Sequence, residues 1–283
     1  MTPLRHKMIE SMRQRGVSVR TQQSYTYAVT DLARYHARSP QHLEPADVAS
    51  YFRHLALERE LAPASCRLHL NAIRYFYLKV LERKHFDVEV VIPKLAQRIP
   101  QLLTRAEVAQ ILAACANDKH RMALTMCYGC GLRVSEVVAL RVGDIDGERA
   151  QAHVVQGKGA KDRMAILSAG LLMQLRAYWR VYRPSQCLFP GRHQTRALSI
   201  TSLQKAFRRA KGRAGVEKVG GMHALRHAYA THQLEAGLSV HVLQRLLGHG
   251  SVTTTMRYVH WVPGYREGGV RHDDLIGALE TVR

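Results

Sequence analysis

Six side chains in this sequence have the types that metal-free chemistry at a phosphodiester would use: Arg133, Lys158, His223, Arg226, His249 and Tyr258. A phosphorus centre under attack gains negative charge on its non-bridging oxygens, and a planar guanidinium forks onto two such oxygens at once. Arg133 follows Gly129-Cys130-Gly131-Leu132 at the start of an apolar helix, and Glu136, one turn on, is placed to hold its guanidinium. Arg226 lies three residues after His223, so both project from one helical face. Lys158 stands in the turn Gly157-Lys158-Gly159, a mobile mount for a proton donor, and His249 ends a helix at Gly248-His249-Gly250. Tyr258 follows nine residues later. A free phenol, with a pKa of about 10, is scarcely ionised at neutral pH unless neighbouring cations favour the phenolate.

Singly, each of these residues has an ordinary structural use. Arg133 alone is more often a surface ion-pair residue, Lys158 by default a solvated hairpin tip, and Tyr258 a half-buried amphipathic contact. His223 and His227 are four apart, a zinc-ligand spacing, but the Glu of an HExxH motif is absent and no metal is expected. Cys127 and Cys130 form a lone CxxC beside the apolar stretch Met122 to Met126 and read as buried structural thiols. Five irregularly spaced cysteines favour a reducing, cytoplasmic home.

The elements that must position the six follow from periodicity and punctuation. In the N-terminal part, helices are expected over Thr21 to Arg38, from Pro45, and after Pro63, where Cys66, Leu70, Ile73, Tyr77 and Val80 make one stripe. Prolines at 93 and 100 precede Thr104-Arg105-Ala106-Glu107, a capping box that opens a new helix. Gln151 to Gln156 and Met164 to Leu167 read as strands flanking the glycine-rich turn. Further helices are expected over Ser168 to Tyr182, Thr201 to Arg213, His223 to Ala236 and Ser239 to Leu247, then from Ser251. The architecture is mainly α with a small β-sheet: a helical domain over residues 1–95, a linker over 96–103, and an α+β domain over 104–283 that ends in a tail segment.

Composition limits the partners. Hydrophobic residues are 46% and charged residues 23%, ordinary for a folded chain, but 42 Lys and Arg against 22 Asp and Glu leave a formal charge of +20. The surplus is +7 over residues 1–100 and +13 over the remainder, so no single tail carries it. A polyanion touched along much of the chain is the expected partner. Arg67 and Arg74 on a helix face, and Lys161 and Arg163 beside the turn, are the expected nucleic-acid contacts. No run of about 18 apolar residues and no apolar leader is present, so no membrane role is expected.

Taken together, Arg133 in GCGLRVSEVVAL, Lys158 in GKGAKDR, His223 and Arg226 in HALRH, His249 in LLGH and Tyr258 in TTTMRY resemble the tyrosine recombinase (phage integrase) family over nearly the whole chain. The resemblance implies a SAM-like core-binding domain followed by a catalytic domain, with Tyr258 as the nucleophile that forms a 3′-phosphotyrosyl link. It further implies that Arg133, Arg226 and His249 stabilise the pentacoordinate transition state and that Lys158 protonates the leaving 5′-oxygen. His223 would then assist the nucleophile's proton transfer, and Glu136 would orient rather than react. No cofactor is implied. The implied partner is double-stranded DNA with paired recombination sites, bound by a homo-tetramer with or without accessory DNA-bending proteins. Integration or excision of a mobile element is the expected role, and resolution of chromosome or plasmid dimers the alternative. The helix-like tail with Leu275, Ile276 and Leu279 resembles an arm that docks on a neighbouring protomer.

Two readings from other classes compete. Ser239 to Tyr258 superficially resembles a helix-turn-helix, which suits a non-catalytic DNA-binding regulator but leaves Arg133, Lys158, His223 and Arg226 unexplained. A metal-dependent hydrolase would use His223, His227 and His232.

Overall fold

The structure is a computed structural model of the 283-residue chain that describes residues 2–83, 86, 90, 100–155, 162–193, 195–266 and 273–280. Prolines sit in the first turns of three N-terminal helices, where the missing N–H costs nothing: α1 (Pro3–Gln14), α3 (Pro45–Leu57) and α4 (Pro63–Tyr75), with α2 (Val19–Tyr35) between the first two. The helix α1 is not anticipated by the sequence reading, because its buried side is two methionines, Met8 and Met12, in an otherwise polar, basic stretch. The expected stripe after Pro63 does continue to Val80, through one wide π turn over Phe76–Val80 that buries Phe76, Tyr77 and Val80. These elements form one unit, Met1–Arg98, around Leu32, Tyr51, Leu55, Ile73 and Tyr77.

The second unit, Ile99–Arg283, opens at the Thr104 capping box: the Glu107 N–H donates to Thr104 Oγ1 at 3.2 Å and the Thr104 N–H to Glu107 Oε2 at 2.7 Å. Its helices are α5 (Arg105–Ala113), α6 (Asp118–Gly129), α7 (Val134–Ala139), α8 (Ala169–Tyr182), α9 (Ile200–Arg213), α10 (His223–Glu235), α11 (Val240–Leu247), α12 (Val252–His260) and α13 (Leu275–Glu280). Side chains of Ser168, Ser199 and Ser251 cap α8, α9 and α12, which is why those helices begin where the sequence places serines. Between α7 and α8 lies an antiparallel sheet of β1 (Ile145–Asp146), β2 (Gln151–Val154) and β3 (Arg163–Ile166), with Val154 opposite Arg163 and Gln151 opposite Ile166. Strand β1 is too short to leave a period-2 signature and is not anticipated. The turn with Lys158 and Lys161 lies outside the described residues.

Within the stretch read as a linker, residues 101–103 are fastened to the second unit: Leu103 is buried in its core, the Leu102 carbonyl accepts from Lys218 at 2.7 Å, and the Val219 N–H donates to the Gln101 side chain. No helix among the described residues is long and apolar enough to cross a membrane.

The tail corrects an expectation. Leu275, Ile276 and Leu279, expected on an arm reaching a neighbouring protomer, are buried in the core of their own unit. Asp274 accepts from Ser168 Oγ at 2.5 Å and from the Gly170 N–H at 2.9 Å, so it caps α8 from outside. A Cβ at Gly170 would come within 2.8 Å of the Gly277 backbone, so the two glycines allow α8 and α13 to touch.

Candidate active site

The site is assembled around one carboxylate. Glu136 occupies the first turn of α7 and accepts from the Arg133 N–H at 2.8 Å and from Arg133 Nη1 at 2.6 Å, a capping arrangement that fixes the arginine at the helix entrance. From β3, Arg163 delivers a bidentate pair, Nη1 to Oε1 at 3.0 Å and Nη2 to Oε2 at 2.7 Å, and its Nε donates to the Leu246 carbonyl at the end of α11. Arg226 of α10 stands 3.9 Å from the same carboxylate. Burial pushes the Glu136 pKa up, but the bonds from Arg163 and Arg133 outweigh it and bring it down to about 2, so the carboxylate is ionised throughout the physiological range.

Arg226, 1% exposed, ties three segments together. Its Nη1 donates to the Gly131 carbonyl at 2.6 Å, and its Nη2 to the Leu247 carbonyl at 2.7 Å and to His249 Nε2 at 3.1 Å. Two glycines make this possible. Gly131 has φ +60°, and a Cβ there would lie 2.4 Å from Tyr229; Gly248 has φ +63° and ends α11 so that His249 turns inward. Because a guanidinium only donates, His249 Nε2 accepts, and its Nδ1–H therefore donates to Thr255 Oγ1 at 2.9 Å. Burial and the cations Arg226, Arg133 and Arg163 lower the His249 pKa to about 4, which agrees with a neutral ring in that tautomer.

Tyr258 of α12 is buried against this set. Its ring lies parallel to that of His249, with centroids 6.2 Å apart, Arg226 reaches its phenol oxygen, and His227 Nδ1 is 3.0 Å from its hydroxyl. Burial raises the phenol's pKa, opposed by Arg226, Arg133 and Arg257, and the net direction is upward, so the resting hydroxyl keeps its proton. Trp261 meets both rings edge-on, at 5.1 Å from Tyr258 and 5.4 Å from His227.

Five of the residues named from sequence, Arg133, Glu136, Arg226, His249 and Tyr258, therefore converge, and His223 joins them at the edge. Its ring packs edge-on to His227 at 4.5 Å, and burial together with Arg226 and Arg133 lowers its pKa. It is His227, four residues on, that bonds the phenol; at about 100° per residue both histidines share a helical face, so spacing alone does not choose between them. Lys158 and Lys161 lie outside the described residues. Arg163, expected at a nucleic-acid surface, is corrected: its side chain is 8% exposed and its guanidinium is committed to Glu136 and Leu246. Residues missed from sequence are this internal role of Arg163, the phenol contact of His227, and Thr255, which orients His249. The motif HALRH contains the second histidine, and that was its available signal. In the other unit, Arg67 and Arg74 sit on exposed positions of α4, seven residues apart on one face.

Comparison with known proteins finds a matching family for both units. Residues 101–263 match the phage integrase family, and residues 4–87 match the phage integrase N-terminal SAM-like domain. The chain is 42% identical over 260 residues to a putative integrase/recombinase, y4qK, of Sinorhizobium fredii, covering 92% of this chain and 84% of that one. It is 33% identical over 270 residues to tyrosine recombinase XerD of Caulobacter vibrioides, covering 87% and 88%. Among solved structures, a lambda integrase dimer bound to a COC′ core site superposes with a TM-score of 0.70 at 17% identity, covering 95% and 98% of the two chains. XerH bound to a palindromic difH substrate superposes with a TM-score of 0.70 at 20% identity, covering 89% and 79%.

Proposed function

The chain belongs to the phage integrase family of tyrosine recombinases, which exchange DNA strands through a phosphotyrosyl intermediate, and on that premise we propose that Tyr258 is its nucleophile. The Tyr258 oxygen attacks a scissile phosphodiester, the bond to the 5′-oxygen breaks, and a 3′-phosphotyrosyl link and a free 5′-hydroxyl result. Arg133, Arg226 and His249 take up the charge that develops on the non-bridging oxygens. Lys158 supplies the proton to the departing oxygen, and His223 completes the set. Glu136 touches no reacting atom and acts by holding Arg133. The covalent link conserves the energy of the broken ester, so rejoining to another 5′-hydroxyl needs no further energy source.

The observation that carries this reading is a charge surplus beside a buried phenol. Three guanidiniums, of Arg133, Arg163 and Arg226, surround the carboxylate of Glu136, which among the described residues leaves two positive charges next to Tyr258. A pentacoordinate phosphorus with two charged oxygens is the species that such a surplus balances.

The partner is double-stranded DNA, with Arg67 and Arg74 of the helical unit on its backbone, and four copies act in two pairs on paired sites, alone or with DNA-bending proteins. The buried free cysteines support a reducing cytoplasm as the place of action. Integration or excision of a mobile element is the favoured role, supported by the y4qK likeness, and the XerD likeness keeps dimer resolution as the second. The test is a covalent one. The protein is incubated with duplex fragments from the DNA around its own gene, denatured, and examined for SDS-resistant protein–DNA complexes. Adducts with the wild type and none with Tyr258→Phe are expected. Tight binding without any adduct, with a DNA-bending protein added as well as without, overturns the nucleophile assignment in favour of a regulator; adducts only when it is added indicate a recombinase that needs a partner. The captured fragments separate the two roles: element ends indicate integration or excision, and a single chromosomal or plasmid locus indicates resolution.

A further inference from the structure

We propose that His227, rather than His223, takes the proton from Tyr258 as its oxygen attacks phosphorus and returns that proton when the strand is rejoined. This rests on Tyr258 being the nucleophile. His227 Nδ1 lies 3.0 Å from the phenol oxygen, within the reach that proton transfer requires. The ring is held from two sides, by His223 at 4.5 Å and 81° and by Trp261 at 5.4 Å and 85°. Trp261 also abuts Tyr258, so one indole positions both partners of the transfer.

The charged and titratable groups that face His227 are His223 and Arg226 from its own helix and Tyr258 from α12. Burial, then His223 and Arg226, depress its pKa to about 4, so at neutral pH the imidazole is uncharged and has a lone pair to offer. In the empty site the phenol holds its proton far more tightly than this imidazole does, so no proton moves in advance. An arriving phosphodiester brings a negative charge that offsets Arg226 and raises the basicity of the imidazole, and the proton crosses as the bond to phosphorus forms. The step balances. The phenol O–H breaks and its proton goes to Nδ1, the phenol oxygen bonds to phosphorus, and the P–O5′ bond breaks. The 5′-oxygen takes its proton from Lys158. The imidazolium keeps the phenol's proton until a 5′-hydroxyl attacks the phosphotyrosine and tyrosine leaves. His223, on the open side of the same face, is then free to contact the phosphate.

Two measurements test this. In the free protein labelled with 15N-histidine, the His227 ring is expected to be neutral at pH 7, with Nε2 protonated and Nδ1 bare; a proton on Nδ1, or a charged ring, overturns the proposal without reference to DNA. On the captured fragments, His227→Gln is expected to slow adduct formation by about 10²- to 10⁴-fold while leaving fragment binding unchanged. Its rate should climb about tenfold per pH unit as hydroxide replaces the lost base, whereas the wild type stays nearly flat from about pH 6 to 8. His223→Gln should lower the rate by the loss of a phosphate contact without adding this pH dependence. A His227→Gln protein with the wild-type rate and profile overturns the role of His227 and leaves Tyr258 as nucleophile. Absence of adducts from the wild type itself overturns the assignment of Tyr258 as nucleophile and this proposal with it.

Discussion

Each unit of this protein builds a polar cluster around a buried carboxylate, and the two clusters are balanced differently. In the N-terminal unit, Asp31 accepts from Tyr51 at 2.8 Å and from Arg59 at 2.6 Å, and His69 Nδ1 lies 3.0 Å from the Tyr51 oxygen. Burial drives the Asp31 pKa up and lowers that of His69, but the bonds from Tyr51 and Arg59 keep Asp31 ionised, with its pKa below the usual value. One anion meets one cation, Arg59, which reaches in from the surface, and every partner belongs to the same unit. In the catalytic unit one carboxylate meets three guanidiniums, and the surplus faces the phenol. A closed cluster specifies packing; an unbalanced one stores a demand for an anion, and burial makes that demand strong because little water is present to screen it.

The contrast is most sharply broken at its reactive end. Tyr258→Phe removes the oxygen proposed to form the covalent bond, and SDS-resistant complexes should vanish while fragment binding by gel shift persists. Glu136→Gln comes next, because it strips the one counter-charge from three buried or half-buried guanidiniums. Unfolding of the catalytic unit in urea should lose roughly 3–5 kcal/mol, with the transition of the N-terminal unit unmoved. The sign of the pH dependence follows from the lowered carboxylate: its folded pKa of about 2 lies below the ordinary 4.5, so its stabilisation is complete above the unfolded value and fades as pH falls toward 2. Wild type should therefore lose about 3 kcal/mol across that window, and Glu136→Gln should show a flatter acid limb in melts followed by circular dichroism.

In the balanced cluster the expected effects are smaller and stay local. Asp31→Asn leaves Arg59 and Tyr51 poorly matched and should cost about 1–3 kcal/mol in the unfolding of the N-terminal unit. The rate of adduct formation at saturating DNA should remain that of the wild type. The smallest effects belong to the exposed face of α4. Arg67→Ala and Arg74→Ala should each leave stability within about 0.5 kcal/mol and reduce the salt slope of DNA binding by about 1. An unchanged salt slope would remove that face from the DNA contact.

Local signals made much of this legible. Thr104 with Glu107, Ser168, Ser199 and Ser251 announce helix starts, and Gly237 and Gly248, both at positive φ, announce ends, because capping needs only neighbours in the chain. Five of the site residues, Arg133, Glu136, Arg226, His249 and Tyr258, are legible for the same reason: each sits in a short motif whose backbone form dictates where the side chain starts. Helix α1 and strand β1 were not legible, since two methionines and two strand residues make no period. Their state is set by what covers them.

By itself, then, the sequence determined most of the element types, the strong positive charge and the ordered set from Arg133 to Tyr258. Only the tertiary structure decided how long-range partners share those groups. Arg163 reads as one more surface cation until β3 is laid beside α7 and α11, where Glu136 and the Leu246 carbonyl claim its guanidinium. Similarly, His223 and His227 differ by about 40° around one helix, and the approach of α12 and Trp261 selects His227 for the phenol. The tail reads as an arm until the facing glycines at 170 and 277 and the Asp274 cap seat it on α8. A residue's type and phase are properties of the chain, whereas its partner depends on which surfaces of distant elements are complementary enough to exclude water between them.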